Sequence, residues 1–366
     1  MKFLDLKTQY KSIKKEIDQA IKNVLNNCHF ILGPEVEKLE KNVAKYCGTK
    51  YGIALNSGTD ALFLSLKGLG IGPGDEVIVP SFTFIATPEA IVNVGAKPIF
   101  IDIESKTFNI NPELVEGLIT KRTKAIIPVH LFGQPAEMDK IMKIAKKYKL
   151  KVIEDAAQAI GAKYKNKKIC SIDACGCLSF FPSKNLGGYG DGGMVVTNNK
   201  NLAKKIILLR AHGTTKKYHY QIIGTSSRLD ALQSAVLSVK LKYLKKWTKI
   251  RQKNADYYTK QLKNIKKIIV PMFPCSMFHV FNQYTIRAKN RNQLQKYLKQ
   301  NNIPTQIYYP CPLHLQPAFK YLGYKKGDLP ETEKACKEVL SIPIYPELKK
   351  SEQDYIIKKI KEFYDK

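Results

Sequence analysis

Between residues 51 and 199 the chain alternates between short apolar, β-branched runs and helix-length segments with polar faces. The runs 76–80, 97–103, 124–131, 151–154, 177–181 and 194–197 have the length and composition of buried strands. Between two of them, 137–148 sets Met138, Ile141, Met142 and Ala145 at i, i+3, i+4 and i+7, the spacing of an amphipathic helix. A βαβ series of this kind predicts an α/β protein: a mostly parallel sheet, helices on both faces, and ligands at the carboxyl ends of the strands. The pattern changes near Lys242. Residues 241–262 read as one long helix, and beyond it lies a smaller α+β region whose turns are marked by Pro271, Pro274, Pro304, Pro310, Pro312 and Pro343. Two domains are expected: 1–246, an N-terminal segment with a large ligand-binding unit, and 247–366, a small C-terminal α+β unit.

Composition narrows the function classes. The first ten residues lack an apolar run and no later stretch reaches bilayer length, so a soluble, cytoplasmic protein without membrane attachment is expected. Eight cysteines (Cys28, Cys47, Cys170, Cys175, Cys177, Cys275, Cys311, Cys336) scattered over 366 residues suit reduced thiols better than a disulfide framework. Cys170, Cys175 and Cys177 lack the paired knuckles of a zinc site, so no metal is expected. His29 and His130 read as ordinary surface and core imidazoles. The net charge of +30 raises the question of nucleic acid. The kind of cation answers it: among 61 basic residues only Arg122, Arg210, Arg228, Arg251, Arg287 and Arg291 carry the bidentate guanidinium that reads phosphates and base edges. The rest are lysines on polar helix faces, such as Lys140, Lys143, Lys146, Lys147 and Lys149, and no nucleic-acid partner is expected. A positive field would still speed the arrival of an anionic substrate.

Three segments carry chemistry. Asn56-Ser57-Gly58-Thr59-Asp60-Ala61-Leu62 places Ser57 as an N-cap with Asp60 three residues on, followed by the apolar positions Leu62, Leu66 and Leu69. Free amides at such a helix start can hold an anion, and the same pattern also describes a plain capped helix. Val152-Ile153-Glu154-Asp155 ends a strand in a carboxylate, with Ala156, Ala157 and Ala159 around Gln158. Asp155 is either another N-cap or the partner of a pyridinium nitrogen, whose proton such a charge would retain. The most specific segment runs from Ser179-Phe180-Phe181-Pro182-Ser183-Lys184 to Gly193, a lysine in a glycine-rich loop between two apolar strands. A lysine withdrawn from water loses proton affinity and becomes a usable nucleophile and proton shuttle. The glycines admit close approach of the backbone to a bound group.

These motifs, in this order, resemble the DegT/StrS-type sugar-nucleotide aminotransferases, a fold-type I pyridoxal-phosphate family. The resemblance extends from Phe3-Leu4-Asp5-Leu6 and Ile31-Leu32-Gly33-Pro34-Glu35-Val36 to Tyr309-Pro310-Cys311-Pro312-Leu313-His314, nearly the whole chain. It implies a seven-stranded sheet, pyridoxal 5'-phosphate as cofactor, and a homodimer with shared active sites. Lys184 matches the catalytic lysine that binds the cofactor, Asp155 the partner of the pyridine nitrogen, and Gln158 the group beside the ring hydroxyl. Phe84, in Phe82-Thr83-Phe84-Ile85-Ala86-Thr87, matches the aromatic that stacks on the ring. Gly58, Thr59 and Asp60 match the backbone phosphate site, and Ser179 a hydroxyl donor to the same phosphate. In Gly224-Thr225-Ser226-Ser227-Arg228-Leu229-Asp230, the stretch by which a second subunit reaches that phosphate, Ser226 stands where the family commonly has Asn.

The resemblance also bears on the substrate. Relatives that dehydrate sugars have His in place of the lysine, so Lys184 points to transamination, with L-glutamate as donor and a nucleotide-linked keto sugar as acceptor, in amino-sugar and surface-glycan biosynthesis. Tyr218-His219, and Tyr308-Tyr309 ahead of His314, look like the branch acting on 3-keto sugars. Where uronate-handling relatives often have His, this chain has Tyr308, which leaves sugars with and without a carboxylate open. Arg228, Tyr308, Tyr309 and His314 are the candidate substrate contacts, Arg228 for a carboxylate or diphosphate. The competing readings are a 4-keto-sugar aminotransferase and an idle domain of the same fold used for binding or regulation.

Overall fold

A computed structural model describes residues 1–172, 175–274 and 276–365; Cys275 lies outside them. Two helices open the chain, α1 (Leu6–Asn27), capped by the Asp5 carboxylate accepting from the Thr8 amide, and α2 (Pro34–Cys47). There follow β1 (Tyr51–Leu55), α3 (Gly58–Gly68), β2 (Glu76–Pro80), α4 (Ala86–Asn93), β3 (Lys97–Ile101), β4 (Thr123–Ile126), α5 (Met138–Tyr148) and β5 (Lys151–Asp155). A short hairpin, β6 (Lys163–Tyr164) and β7 (Lys167–Lys168), leads to β8 (Cys175–Ser179), β9 (Gly193–Thr197) and α6 (Lys200–Leu209). A second hairpin, β10 (Thr214–Lys216) and β11 (His219–Tyr220), precedes α7 (Ala231–Leu262). The remainder is β12 (Ile268–Ile269), β13 (Met277–Phe278), β14 (Tyr284–Ala288), α8 (Arg291–Gln300), α9 (Pro330–Glu338), β15 (Val339–Ile342) and α10 (Lys350–Tyr364).

The central sheet has seven strands in the order β1-β9-β8-β5-β4-β2-β3, and β9 alone runs antiparallel to its neighbours. On one face α3, α4 and α6 bury Leu62, Leu64, Ala90, Ile91, Leu202 and Ile206. On the other, α2 and α7 bury Val36, Leu39, Leu237 and Leu244, while α5 buries Met138 and Ile141 as its spacing predicts. With both faces covered, the strands read as continuous apolar runs rather than alternating ones.

The structure shifts several expected bounds. The run 124–131 is a regular strand only as far as Ile126, because Pro128 has no amide to offer; pairing resumes as a single bridge between Val129 and Asp155, the Pro128 carbonyl accepting from Asp155 N and the His130 amide donating to Asp155 O, each at 2.9 Å. The run 97–103 ends at Ile101, and 177–181 is observed as Cys175–Ser179. β1 was absent from the expected strands: it is short and contains Gly52, whose place is fixed by the Glu40 carbonyl, 2.6 Å from where a Cβ would stand. The long helix starts ten residues earlier than expected. Its first turns bury Ala231, Ala235, Val236, Leu237 and Val239 between α1 and α2, so they show no single polar face.

α7 runs unbroken past residue 247 into the C-terminal region, where its last turns pack on the antiparallel sheet β12-β14-β15 with α8 and α10. Arg251 on α7 is buried and donates to Phe281 O and Ile344 O. A second tie joins the two regions at the end of β3. Buried Asp102 accepts from Thr332 N (2.8 Å) and Glu331 N (2.9 Å), capping α9, whose own N-cap residue Leu329 has no side-chain acceptor. Removing that carboxylate leaves two helix-terminal amides unsatisfied. Asp102→Ala is expected to lower unfolding stability by about 2–3 kcal/mol, with Asp102→Asn losing less, as read from urea unfolding midpoints.

Candidate active site

Four strand ends deliver side chains to one cavity of about 580 Å³ at the carboxyl edge of the parallel sheet. From β1 and the first turn of α3 come Ser57, Gly58 and Thr59. Ser57 caps α3 by accepting from Asp60 N at 3.0 Å, which leaves earlier amides of that turn directed at the cavity end. Gly58 is required there by crowding, since a Cβ would lie 2.8 Å from Ser179 Cβ. Ser179, at the end of β8, lines the same corner. From the segment after β2 come Thr83, Phe84 and Thr87. Phe84 is 57% exposed and lies 6.3 Å, centroid to centroid, from Tyr309.

The floor is ionic. Asp155 ends β5, buried, its Oδ2 accepting from the Thr87 hydroxyl at 2.8 Å and its Oδ1 from Ala157 N at 3.1 Å. Burial raises its pKa, opposed by those two donors, by Lys184 and by His130. Lys184, half-buried in the loop between β8 and β9, faces the same cavity; burial lowers its proton affinity and Asp155 opposes the change. Gln158 is clamped in place: its Oε1 accepts from Phe132 N at 2.7 Å and its Nε2 donates to the Tyr309 hydroxyl at 3.3 Å. Behind the floor, His130 is fully buried, its Nδ1 accepting from Ala136 N, so the proton sits on Nε2, which is 3.0 Å from Glu154 Oε2. That is a satisfied core imidazole.

Gly58, Thr59, Phe84, Asp155, Gln158, Ser179, Lys184, Tyr308 and Tyr309 therefore meet at one cavity. The other expected residues stand elsewhere. His314 is buried outside the lining, its Nδ1 2.8 Å from Ser81 Oγ and its Nε2 3.4 Å from Glu333. It fixes the turn that holds the Tyr308-Tyr309 segment and is not itself available to a ligand. Asp60 lies outside the lining, and its backbone amide is taken by the Ser57 hydroxyl. Ser226 and Arg228 lie off the cavity, the guanidinium donating to the exposed Ser226 hydroxyl at 2.8 Å. Thr87, Asp191 and Gln283 line the cavity without having been singled out. Thr87 sits one helical turn beyond Phe84 in a segment already of interest, while nothing local marks Gln283 or Asp191.

The geometry suits pyridoxal phosphate. The cavity offers an anion-accepting helix start with a nearby hydroxyl, an exposed aromatic face, and a buried carboxylate whose raised pKa a cationic ring nitrogen would correct. An amine with reduced proton affinity shares that space, which is what a pyridoxal-phosphate-dependent transferase asks of its protein. The particular family follows from sequence: residues 11–361 match the DegT/DnrJ/EryC1/StrS aminotransferase family, and the chain belongs to it. It is a pyridoxal-phosphate-dependent aminotransferase. The chain is similar to the "pleiotropic regulatory protein" of Geobacillus stearothermophilus, 51% identical over 99% of this chain and 98% of that one. It is 46% identical to the UDP-2-acetamido-2-deoxy-3-oxo-D-glucuronate aminotransferase of Pseudomonas aeruginosa, over 95% and 96% of the two chains. Among solved structures, DesV of S. venezuelae in complex with a ketimine intermediate superimposes with a TM-score of 0.98 at 41% identity, covering 100% of this chain and 98% of that one.

Asp155 provides a test with a definite sign. Its folded-state pKa is raised, so its contribution to stability is present below the usual carboxylate range and lost as pH rises through the folded value. In its ionised form the group is a burial cost in the cofactor-free chain. Asp155→Asn is expected to melt at the same or a higher temperature than wild type at pH 7 without cofactor, while pyridoxal phosphate binds about tenfold or more weakly. A lower melting temperature without cofactor would assign Asp155 to the fold instead.

Proposed function

We propose that this enzyme transfers the amino group of L-glutamate to the 3-keto group of a nucleotide-linked hexose, with Lys184 as its catalytic residue. The observation that carries the reading is the shared burial of Lys184 and Asp155 at one cavity, which no binding module requires. Bound there, pyridoxal phosphate supplies an electron sink for the pair left on carbon when a proton departs. Gly58, Thr59 and Ser179 hold its phosphate, Phe84 covers one face of the ring, Gln158 stands beside the ring hydroxyl, and Asp155 retains the proton on the ring nitrogen. Burial lowers the proton affinity of Lys184, which suits its Nζ to take a proton from the α-carbon of the donor and later return one. Tyr308 and Tyr309 wall the side where the sugar enters and exclude water.

The 3-keto assignment draws on relatives: the Pseudomonas enzyme is named for a 3-oxo sugar, and a 41% identical Streptomyces venezuelae relative is a dTDP-3-amino-3,4,6-trideoxy-α-D-glucose transaminase. The regulatory name of the Geobacillus relative keeps an idle sensor in view; the complete set of Lys184, Asp155 and Gln158 favours turnover. The reading includes a homodimer in which Ser226 of each copy serves the other's phosphate site and Arg228 contacts a carboxylate or diphosphate of the substrate, and a cytoplasmic enzyme. Among the described residues no helix is long and apolar enough to cross a membrane.

With pyridoxal phosphate the purified protein is expected to develop a visible band that glutamate bleaches, and Lys184→Ala to bind the cofactor weakly without bleaching. Nucleotide 3-keto sugars should then restore the band. Restoration by 4-keto sugars alone would move the site of amination, and a band indifferent to glutamate would leave the binding-domain reading.

A further inference from the structure

The loop that carries Lys184 is closed on itself: Phe180 N donates to Gly192 O and Gly188 N to Phe180 O, each at 2.7 Å. Those bonds shape the loop, and its seating against the rest of the molecule comes from elsewhere. On one side Asn185 Nδ2 donates to Val280 O at 3.0 Å. On the other, α7 presents Gln233 and Lys240, seven residues apart and so on one face of the helix. Gln233 Oε1 accepts from Tyr189 N at 2.8 Å. The Lys240 ammonium donates to Gly187 O and lies over the Tyr189 ring, 5.0 Å from its centroid. The loop is tightly folded as well: a Cβ at Gly187 would stand 2.4 Å from Pro182 O, and one at Gly188 would displace the Gln233 amide, 2.9 Å away.

Lys240 is an expensive choice for that place. It is 1% exposed on a helix whose neighbouring buried positions are Val236, Leu237, Val239 and Leu244. Burial lowers its pKa to about 8, and the Glu347 carboxylate opposes the change without offsetting it. A methionine would fill the same volume at less cost to folding. The remaining use of the charge is the loop carbonyl it holds.

We propose that Lys240, together with Gln233, is a positioning residue for Lys184: by fixing Gly187 O and Tyr189 N it sets where the loop presents the Lys184 amine to Asp155. It acts by placement and not through its field, since burial and Asp155 are the influences on Lys184. The inference rests on Lys184 being the lysine that binds the cofactor.

The test compares wild type, Lys240→Met and Gln233→Leu as full-length proteins, by the rate at which added pyridoxal phosphate develops its visible band, the rate of bleaching by glutamate, and the urea unfolding midpoint without cofactor. Lys240→Met is expected to slow band development and bleaching about tenfold to a hundredfold, with an unfolding midpoint equal to or above wild type. Gln233→Leu should slow both in the same direction, and the double variant should lose less than the product of the two. A purely structural lysine gives the opposite pattern, a lowered midpoint with wild-type rates, and that result overturns the proposal. So do wild-type rates in Lys240→Met at any midpoint. Should Lys240→Met not fold, Gln233→Leu decides: slowed band development supports the proposal and a wild-type rate overturns it. Absence of any band in wild type would instead sink the assignment of Lys184 itself.

Discussion

The structure is organised around the withdrawal from water of two opposite charges, the Asp155 carboxylate and the Lys184 amine, at one end of a parallel sheet. Neither is comfortable there: burial pushes the acid up and the amine down, and each only partly relieves the other. A fold optimised for stability alone would replace both. Their retention in a cavity open to a ligand means that the missing stabilisation is to come from what binds, and a cationic aromatic ring with an anionic tail has the right charges at the right ends. The surrounding hydrogen bonds follow from this. Thr87 and Ala157 hold the carboxylate oxygens, and Phe132 and Tyr309 hold Gln158, so the polar groups are set before any ligand arrives.

Sheet topology makes the arrangement possible. In a parallel sheet every strand ends at the same edge, so β1, β2, β5 and β8 can each contribute a short segment to one site although they are far apart in sequence. The single antiparallel strand, β9, lets the Lys184 loop return directly beside β8 instead of crossing over through a helix. That keeps the loop short and closed, and it leaves the loop's outer surface to be held by α7. The long helix thus has two tasks, joining the sheet to the C-terminal region through Arg251 and seating the loop through Gln233 and Lys240.

How far the sequence discloses this depends on whether the cause is local. Lys184 and Asp155 stand out because each follows an apolar run in a segment of unusual composition, Phe84 only through the family resemblance, and α5 because its spacing is periodic. The start of α7 was missed because both of its sides are buried, which erases the polar face that marks a helix. His314 follows two tyrosines that line the cavity, yet its Nδ1 lies against a buried Ser81, 233 residues away, a contact that the sequence does not announce. Gln283 and the capping of α9 by Asp102 depend on contacts between distant segments and have no signature in either segment alone.

Lys240 shows why such a composition can conceal a buried charge. In a chain with so many lysines one more on a helix draws no notice, and the sequence gives no sign that this one is buried while Lys242, two residues on, is exposed and paired with Glu16. The distinction is energetic. An exposed lysine costs nothing to keep and contributes little, about 0–1 kcal/mol even when paired. A buried one opposes folding unless something it touches matters enough to keep it, and here it touches the backbone three residues from Lys184. Burial of a charge is therefore the better guide to function in this chain than the abundance of charge.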